Sequence, residues 1–118
     1  MNKILVVDDD LDILSLVQVM LSMNNFKVEA ISRWEDISNR MEDFKPDLVL
    51  LDVSLAGADG RDICKNMRTT KETADIPVIL FSANAEMGNY IKECRAQAFI
   101  PKPFELSNLI NTIRTYVN

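Results

Sequence analysis

Five short apolar segments, separated by helical patterns, constrain the fold of this chain more than any other feature of its sequence. They lie at residues 4–7, 28–31, 48–51, 78–81 and 98–100. Three of them are continuously apolar and rich in β-branched residues, which is typical of strands buried on both faces. Strands that alternate with helices predict an α/β fold, with a parallel sheet covered by helices on both faces.

Each interval between the predicted strands carries apolar residues at helical spacing, and the same spacing follows the last strand. The two clearest stripes are Ile13, Leu16, Val17, Met20 and Leu21 in the first helix and Leu106, Leu109, Ile110, Ile113 and Val117 in the fifth. The segment SRWE at residues 32–35 predicts a capping box for the second helix, and Asp59 is a candidate N-cap for the third. The fourth helix is the weakest, because Gly88 and Asn89 lower its propensity.

The size of the chain predicts a single domain. A chain of 118 residues can bury one core without disulfides or metals, so we expect residues 1–118 to form one domain, with no output domain in this chain. Cys64 and Cys94 lack C-x-x-C spacing, which favours structural thiols in a reducing compartment. The apolar run after Lys3 is only four residues long. We therefore expect no signal peptide and no membrane span, and we predict a cytoplasmic protein.

The residues that this chain lacks exclude several kinds of chemistry. It contains no histidine, which excludes serine–histidine triads, cysteine–histidine pairs and histidine zinc sites. Its three glycines, Gly57, Gly60 and Gly88, cannot form a dinucleotide-binding or phosphate-loop motif. Because the net charge is −5 and no basic stripe is present, we expect no direct nucleic-acid binding.

Polar residues follow four of the five predicted strands, at the point where each strand ends. Asp8 and Asp9 follow the first strand, Asp52 the third and Ser82 the fourth, and Lys102 follows the fifth after one proline. In an open α/β sheet, ligands bind outside the carboxyl ends of the strands. We therefore expect these five side chains to converge at one edge of the sheet.

Such a cluster favours a divalent metal ion. Two carboxylates about 4 Å apart repel each other by roughly 4 kcal/mol at an effective dielectric constant of 20. Mg²⁺ commonly binds one or two carboxylates together with waters and phosphate oxygens, so it would offset this repulsion. A carboxylate beside such an ion can attack phosphorus and form an aspartyl phosphate. Ser82 and Lys102 would then donate hydrogen bonds to the phosphoryl oxygens.

Four stretches of the sequence resemble the receiver domain of two-component response regulators, the family of the chemotaxis protein CheY. They are ILVVDD at residues 4–9, DVSLAGADG at 52–60, DIPVILFSA at 75–83 and FIPKPF at 99–104. The resemblance covers the chain from end to end. It implies a flavodoxin-like, doubly wound (βα)5 fold whose five-stranded parallel sheet has the order 2-1-3-4-5.

The resemblance also implies a magnesium-dependent phosphorylation site. Asp52 is similar to the phosphoacceptor of the family. Asp8 and Asp9 resemble the acidic pair that binds Mg²⁺ together with Asp52, and Asp9 is the expected direct ligand. The backbone carbonyl of Ser54 would complete this metal site.

Further positions resemble the switching residues of the family. Ser82 matches the switch hydroxyl, Lys102 the lysine that contacts the phosphoryl group, and Phe99 the aromatic switch position. The Lys102–Pro103 bond resembles a cis peptide of the family. The sequence departs from the family pattern at four positions: Ala56, Phe99, Arg95 and Pro101. At Phe99 the departure is the missing hydroxyl on the ring.

By this resemblance the chain is a signalling switch that accepts a phosphoryl group on Asp52 and is not an enzyme, beyond catalysing its own phosphoryl transfer and dephosphorylation. The donor would be a sensor histidine kinase or a histidine phosphotransfer protein. The surface of the fourth helix, fifth strand and fifth helix would contact an unknown downstream protein, a missing output domain or, when phosphorylated, a second copy of the chain.

Two other functions stay open from the residues alone. One is a magnesium-dependent phosphatase with an aspartate nucleophile, because residues 8–10 spell Asp-x-Asp after the first strand. However, Asp12 occupies the position of a hydroxyl or valine in that class, and the chain is too short for its core and cap. The other is a pseudo-receiver that binds partners without phosphorylation, against which the complete acidic set argues.

Overall fold

The computed structural model describes residues 1–117, with the side chains of all of these except Tyr90. Its strands and helices alternate along the chain, as the apolar segments predict. The strands are β1 (Lys3–Val7), β2 (Lys27–Ile31), β3 (Leu48–Asp52), β4 (Ser54–Leu55), β5 (Ala58–Asp59), β6 (Val78–Ser82) and β7 (Ala98–Pro101). The helices are α1 (Leu11–Ser22), α2 (Ile37–Phe44), α3 (Gly60–Thr69), α4 (Ile91–Cys94) and α5 (Leu106–Tyr116), and two 3₁₀ helices span Trp34–Asp36 and Ala85–Tyr90.

Five parallel strands form the central sheet in the order β2-β1-β3-β6-β7. The short strands β4 and β5 pair only with each other, as an antiparallel hairpin directly after β3. When this hairpin is left out of the numbering, the order of the sheet is the predicted 2-1-3-4-5. The prediction of a flavodoxin-like doubly wound fold is therefore confirmed.

Both faces of the sheet are buried, which explains why its central strands are continuously apolar. In β1, Ile4 and Val6 pack with α1 and α5, while Leu5 and Val7 pack with α2, α3 and α4 on the other face. These four residues are fully buried. The strands are therefore rigid supports for the residues that follow their carboxyl ends.

The starts of the helices follow the sequence predictions in part. The side chain of Asp10 caps α1 by accepting hydrogen bonds from Asp12 and Ile13, and Asp59 caps α3 as predicted. The prediction of a capping box at residues 32–35 is wrong. The 3₁₀ helix over Trp34–Asp36 precedes α2, and the N-cap of this 3₁₀ helix is Arg33. Because the side chain of Arg33 carries no acceptor, no side-chain capping bond forms there.

The segment between β6 and β7 is the weakest helical region, as predicted. Residues 85–90 form a 3₁₀ helix, and only the four residues of α4 are α-helical. Arg95 ends this region with a φ of 58°, at the position where the family often has glycine. Cys64 and Cys94 lie buried between α3 and α4, where the Cys64 thiol donates to the Cys94 carbonyl over 3.2 Å.

Candidate functional site

Three aspartates meet at the carboxyl edge of the sheet. Asp52 ends β3 and Asp8 follows β1, and these strands pair in register with Val7 opposite Leu51. Asp8 and Asp52 are buried whereas Asp9 is exposed, and carboxylate oxygens of Asp8, Asp9 and Asp52 lie within 4.8 Å of one another. The convergence that strand topology predicts for these acids is therefore present.

Lys102 bridges the two buried carboxylates. Its Nζ atom lies 2.8 Å from Oδ2 of Asp8 and 3.3 Å from Oδ2 of Asp52. The ammonium group also lies 4.5 Å from the centre of the Phe81 ring, which shields it from water. The lysine therefore supplies one positive charge against three negative ones.

Backbone donors hold the other oxygen of each buried carboxylate. The N–H of Asp10 donates to Oδ1 of Asp8 over 2.9 Å, and the N–H of Ser54 donates to Oδ1 of Asp52 over 3.2 Å. Each carboxylate is thus fixed between a backbone N–H and Lys102. This arrangement orients both groups before any ligand arrives.

The electrostatics of the cluster shift the pKa of two groups. Burial, and then the charge of Asp8, raise the pKa of Asp52 to about 6, although Lys102 opposes this rise. Burial lowers the pKa of Lys102, but the hydrogen bond that its ammonium donates to Asp8 and the charge of Asp52 outweigh this effect, so the net shift of the pKa is upward. Lys102 therefore stays charged, and Asp52 is mostly ionised at neutral pH.

Gly60 is a residue of this site that sequence reasoning missed as an individual position. Its N–H donates to the carbonyl of Val53 over 2.7 Å, which closes the β4–β5 hairpin behind Asp52. A Cβ on Gly60 would overlap the backbone carbonyl oxygen of Asp52 and lie 3.0 Å from the Cα of Val53. The Asp59–Gly60 pair is a turn signal in the sequence, but only the structure shows what approaches it.

Of the predicted switching residues, Lys102 contacts the acids, whereas Ser82 and Phe99 contact the segment that follows β6. Ser82 is buried, and its Oγ accepts a hydrogen bond of 3.0 Å from the N–H of Asn84. Phe99 is half-buried and faces Gly88 in the second 3₁₀ helix. The Lys102–Pro103 bond is cis, as the resemblance implies. For Ser54, the structure gives a contact of its N–H with Asp52.

A groove of about 770 Å³ lies on a different part of the surface from the acidic cluster, beside α2 and α3, where it is lined by residues such as Trp34, Met41, Met67 and Ile76. The described lining of that groove includes none of the clustered aspartates. Charge and geometry, not cavity size, therefore identify the candidate site.

Comparison with known proteins identifies the family. Residues 4–114 match the sequence model of the response regulator receiver domain. The chain belongs to this receiver domain family. The receiver is 32% identical over 115 residues to the phosphate regulon transcriptional regulatory protein PhoB of Escherichia coli. The matched stretch covers 96% of this chain and 50% of that protein. The receiver spans about half the length of the curated relatives it matches.

Solved structures agree with this assignment. The BeF3-activated receiver domain of RstA from Klebsiella pneumoniae is 27% identical, with a TM-score of 0.87 over 98% of this chain and 97% of that one. TrrA from Thermotoga maritima, in complex with Mg²⁺ and beryllofluoride, has a TM-score of 0.89 at 24% identity, over 99% of this chain and all of that one. The second likeness shows the fold alone.

Membership of this family confirms the predicted resemblance and gives the receiver a coarse role. Receiver domains of response regulators are phosphoacceptor signalling domains that interact with histidine kinases. Over residues 1–117, the receiver has no helix with the length and apolar composition that a bilayer crossing requires.

Proposed function

We propose that this receiver accepts a phosphoryl group on Asp52, in a magnesium-dependent reaction, from a sensor histidine kinase or a histidine phosphotransfer protein. The observation that carries the proposal is the bridged pair of buried carboxylates, with Lys102 between Asp8 and Asp52 and the exposed Asp9 beside them. A structural ion pair would need one carboxylate for one lysine. Three carboxylates around one lysine leave an excess of negative charge that a cation would balance.

The transfer step follows from the state of Asp52. An ionised oxygen of Asp52 attacks the phosphorus atom of a phosphohistidine. An O–P bond forms while the P–N bond breaks, and the electron pair of the broken bond leaves with the imidazole nitrogen. The product is an acyl phosphate on Asp52, whose oxygens lie within reach of donation from Lys102.

The donor set fits Mg²⁺. Hard oxygen ligands are what this ion prefers, and we assign them to Asp8, Asp9, Asp52 and the backbone carbonyl of Ser54. When bound, the ion supplies positive charge that stabilises the oxygens of the transferring phosphoryl group. Asp9 is the exposed member of the cluster, so it is open to an ion arriving from solvent.

We infer that Ser82 transmits the change. In the structure its hydroxyl oxygen is engaged by the N–H of Asn84, at the start of the second 3₁₀ helix. When the hydroxyl turns to donate to the phosphoryl group, that hydrogen bond breaks, and the loop that leads to α4 is released. A hydrogen bond to a charged group contributes about 1.5–3 kcal/mol, which is enough to shift a two-state equilibrium by roughly 10- to 150-fold.

The surface formed by α4, β7 and α5 is our candidate contact for the downstream partner, whether that is another protein, an output domain or a second copy of the receiver. The exposed side chains Leu106 and Tyr116 of α5 belong to this part of the fold. Because the weakest helical segment borders this surface, a change at Ser82 alters it at low cost.

A small-molecule phosphodonor such as acetyl phosphate tests the proposal directly. In the presence of Mg²⁺, mass spectrometry should show one added phosphoryl group per chain, and peptide mapping should place it on Asp52. Continuous turnover of a generic phosphate ester would instead indicate a phosphatase. Absence of both phosphorylation and stoichiometric beryllofluoride binding would indicate a pseudo-receiver and would overturn the proposal.

Removing the carboxylate of Asp9 should weaken Mg²⁺ binding. The expected loss for Asp9→Ala is at least about tenfold in affinity, since even the loss of an outer-shell partner of a metal ligand costs about 10–100-fold. NMR shifts of the backbone amides at residues 8–10 and 52–54 measure this during a Mg²⁺ titration. Asp12→Ala is the matched control, because Asp12 is an exposed acid in the first turn of α1. Equal affinities in both variants would refute the assignment.

Lys102 should matter for the response to phosphorylation more than for phosphorylation itself. Its ammonium group connects the loop after β7 to Asp52. We expect Lys102→Ala to accept the phosphoryl group but to lose the NMR shifts that phosphorylation causes in α4. Lys65→Ala, on the exposed side of α3, is the control for loss of a positive charge. If Lys102→Ala shows the wild-type shifts in α4, the lysine does not have this role.

A further inference from the structure

The ring of Phe99 packs against a residue that has no side chain. Gly88 lies in the second 3₁₀ helix, and a Cβ built on it would come within 3.0 Å of Cδ2 of Phe99 and within 3.4 Å of its Cγ and Cε2. Contacts of this length are closer than Cβ atoms normally make. The ring therefore occupies space that is free only because residue 88 is glycine.

The position of Phe99 in the sheet relates this contact to Ser82. Phe99 pairs with Leu80 in the β6–β7 ladder. Leu80 and Ser82 are two residues apart on one strand, so their side chains point to the same face of the sheet. Phe99, Ser82 and the 3₁₀ helix that contains Gly88 therefore share this face, where Phe99, Met87 and Ile91 pack against the same buried cluster.

From this geometry we propose that Gly88 is a positioning residue. It leaves the space that the ring of Phe99 fills in its resting position, and it so sets how readily the receiver switches. The proposal rests on the proposed function, because it takes Phe99 as a side chain that moves on phosphorylation. A methyl group at residue 88 crowds the ring in the resting position only. The resting state is then destabilised relative to the switched state, and the apparent affinity for a phosphoryl group rises.

The aromatic ring, and not the backbone, is expected to yield to the methyl group. The clashing atoms belong to a side chain that can rotate, unlike the backbone atoms that surround Gly60. The methyl group requires the ring to move by a few tenths of an ångström. Displacing a side chain from its rotamer by as much as about 30° shifts an equilibrium by roughly 2- to 12-fold. We therefore expect Gly88→Ala to bind beryllofluoride about threefold or more tightly than the wild type.

Replacing glycine by alanine also raises helix propensity, so the test must separate that effect. Asn89→Ala provides the control, because the exposed neighbour raises the propensity of the same segment from outside the Phe99 contact. The double variant Gly88→Ala/Phe99→Ala provides the second control. If Gly88 acts through the ring, the effect of Gly88→Ala disappears when Phe99 is already alanine.

Beryllofluoride titrations in Mg²⁺ buffer, followed by the fluorescence of Trp34, measure these affinities in all the variants. The proposal expects Gly88→Ala to bind beryllofluoride more tightly than the wild type and Asn89→Ala to show none of this gain. It also expects the double variant Gly88→Ala/Phe99→Ala to bind with the same affinity as Phe99→Ala. Unchanged or weaker binding by Gly88→Ala overturns the proposal. So does an equal gain in affinity when Gly88→Ala is introduced into the wild type and into Phe99→Ala.

A second measurement keeps failure of this inference distinct from failure of the proposed function. The aromatic NMR signals of Phe99 are recorded in the wild type and in Gly88→Ala without any phosphoryl analogue. The inference expects these ring signals to move in the variant, whether or not the wild type binds beryllofluoride. Ring signals that are unchanged by the methyl group overturn it, whereas a wild type that fails to bind beryllofluoride counts against the proposed function alone.

Discussion

Replacing Asp52 with asparagine is expected to abolish phosphorylation completely and, without magnesium, to stabilise the folded receiver at neutral pH. Burial and the charge of Asp8 raise the pKa of Asp52 from 3.8 to about 6. A carboxyl whose pKa is raised by folding binds its proton more tightly in the folded state, so folding is favoured at low pH and this contribution is lost as the pH rises through about 6. One pKa unit corresponds to about 1.4 kcal/mol, so the ionised Asp52 costs the folded receiver roughly 3 kcal/mol.

Urea unfolding in the presence of EDTA measures this effect. The free energy of unfolding of Asp52→Asn should exceed that of the wild type by about 2–3 kcal/mol above pH 6, and the gain should vanish as the pH falls towards 3.8. Asp12→Asn is the control, since this exposed acid should change stability little. A gain that does not depend on pH would contradict the electrostatic explanation, and phosphorylation of Asp52→Asn would contradict the assignment of the acceptor.

Gly60→Ala is expected to destabilise the receiver by about 3 kcal/mol, at the upper end of what overpacking costs. The added methyl group overlaps the backbone carbonyl of Asp52, and neither the carbonyl nor the Cα of Val53 can rotate away. Helix propensity alone predicts that this substitution increases stability, because Gly60 begins α3 and alanine is the better helix former. Unfolding in urea and phosphorylation by acetyl phosphate measure the loss of stability and of function.

Gly57→Ala is the matched control for this glycine. Gly57 has a φ of 88°, so alanine there costs about 1–2 kcal/mol for the left-handed conformation. However, its Cβ would meet the Nε1 atom of the Trp34 side chain at 3.3 Å, and not the backbone of Asp52. Gly60→Ala should therefore be the less stable of the two variants and the poorer phosphoacceptor. A Gly60→Ala protein as stable as the wild type would show that the hairpin after β3 relaxes freely.

The fold and the grouping of the acids could be predicted from the sequence, because both depend on patterns that survive without coordinates. Strands buried on both faces leave continuous apolar runs, as at residues 48–51, and parallel strands bring their carboxyl ends to one edge. The positions of Asp8 and Asp52 follow from these two rules. The weak helix around Gly88 also followed, because propensity is a local property.

What could not be predicted depends on backbone geometry and on contacts that the pattern of residues does not encode. The capping box at residues 32–35 was wrong because the SRWE pattern does not reveal that a 3₁₀ helix displaces the N-cap to Arg33. The close approach of Gly88 to Phe99 has no signal in the sequence, since nothing near residue 88 indicates which ring will face it. The hydrogen bond between Ser82 and Asn84 likewise required the loop geometry.

Amide hydrogen exchange with and without beryllofluoride, in Mg²⁺ buffer, tests the central claim most directly. If phosphorylation of Asp52 acts through Ser82 and Phe99, protection should change around Asp52 and also across residues 84–104, and Ser82→Ala should bind the analogue while losing the change at 84–104. A change confined to the surroundings of Asp52 in the wild type would contradict the switch.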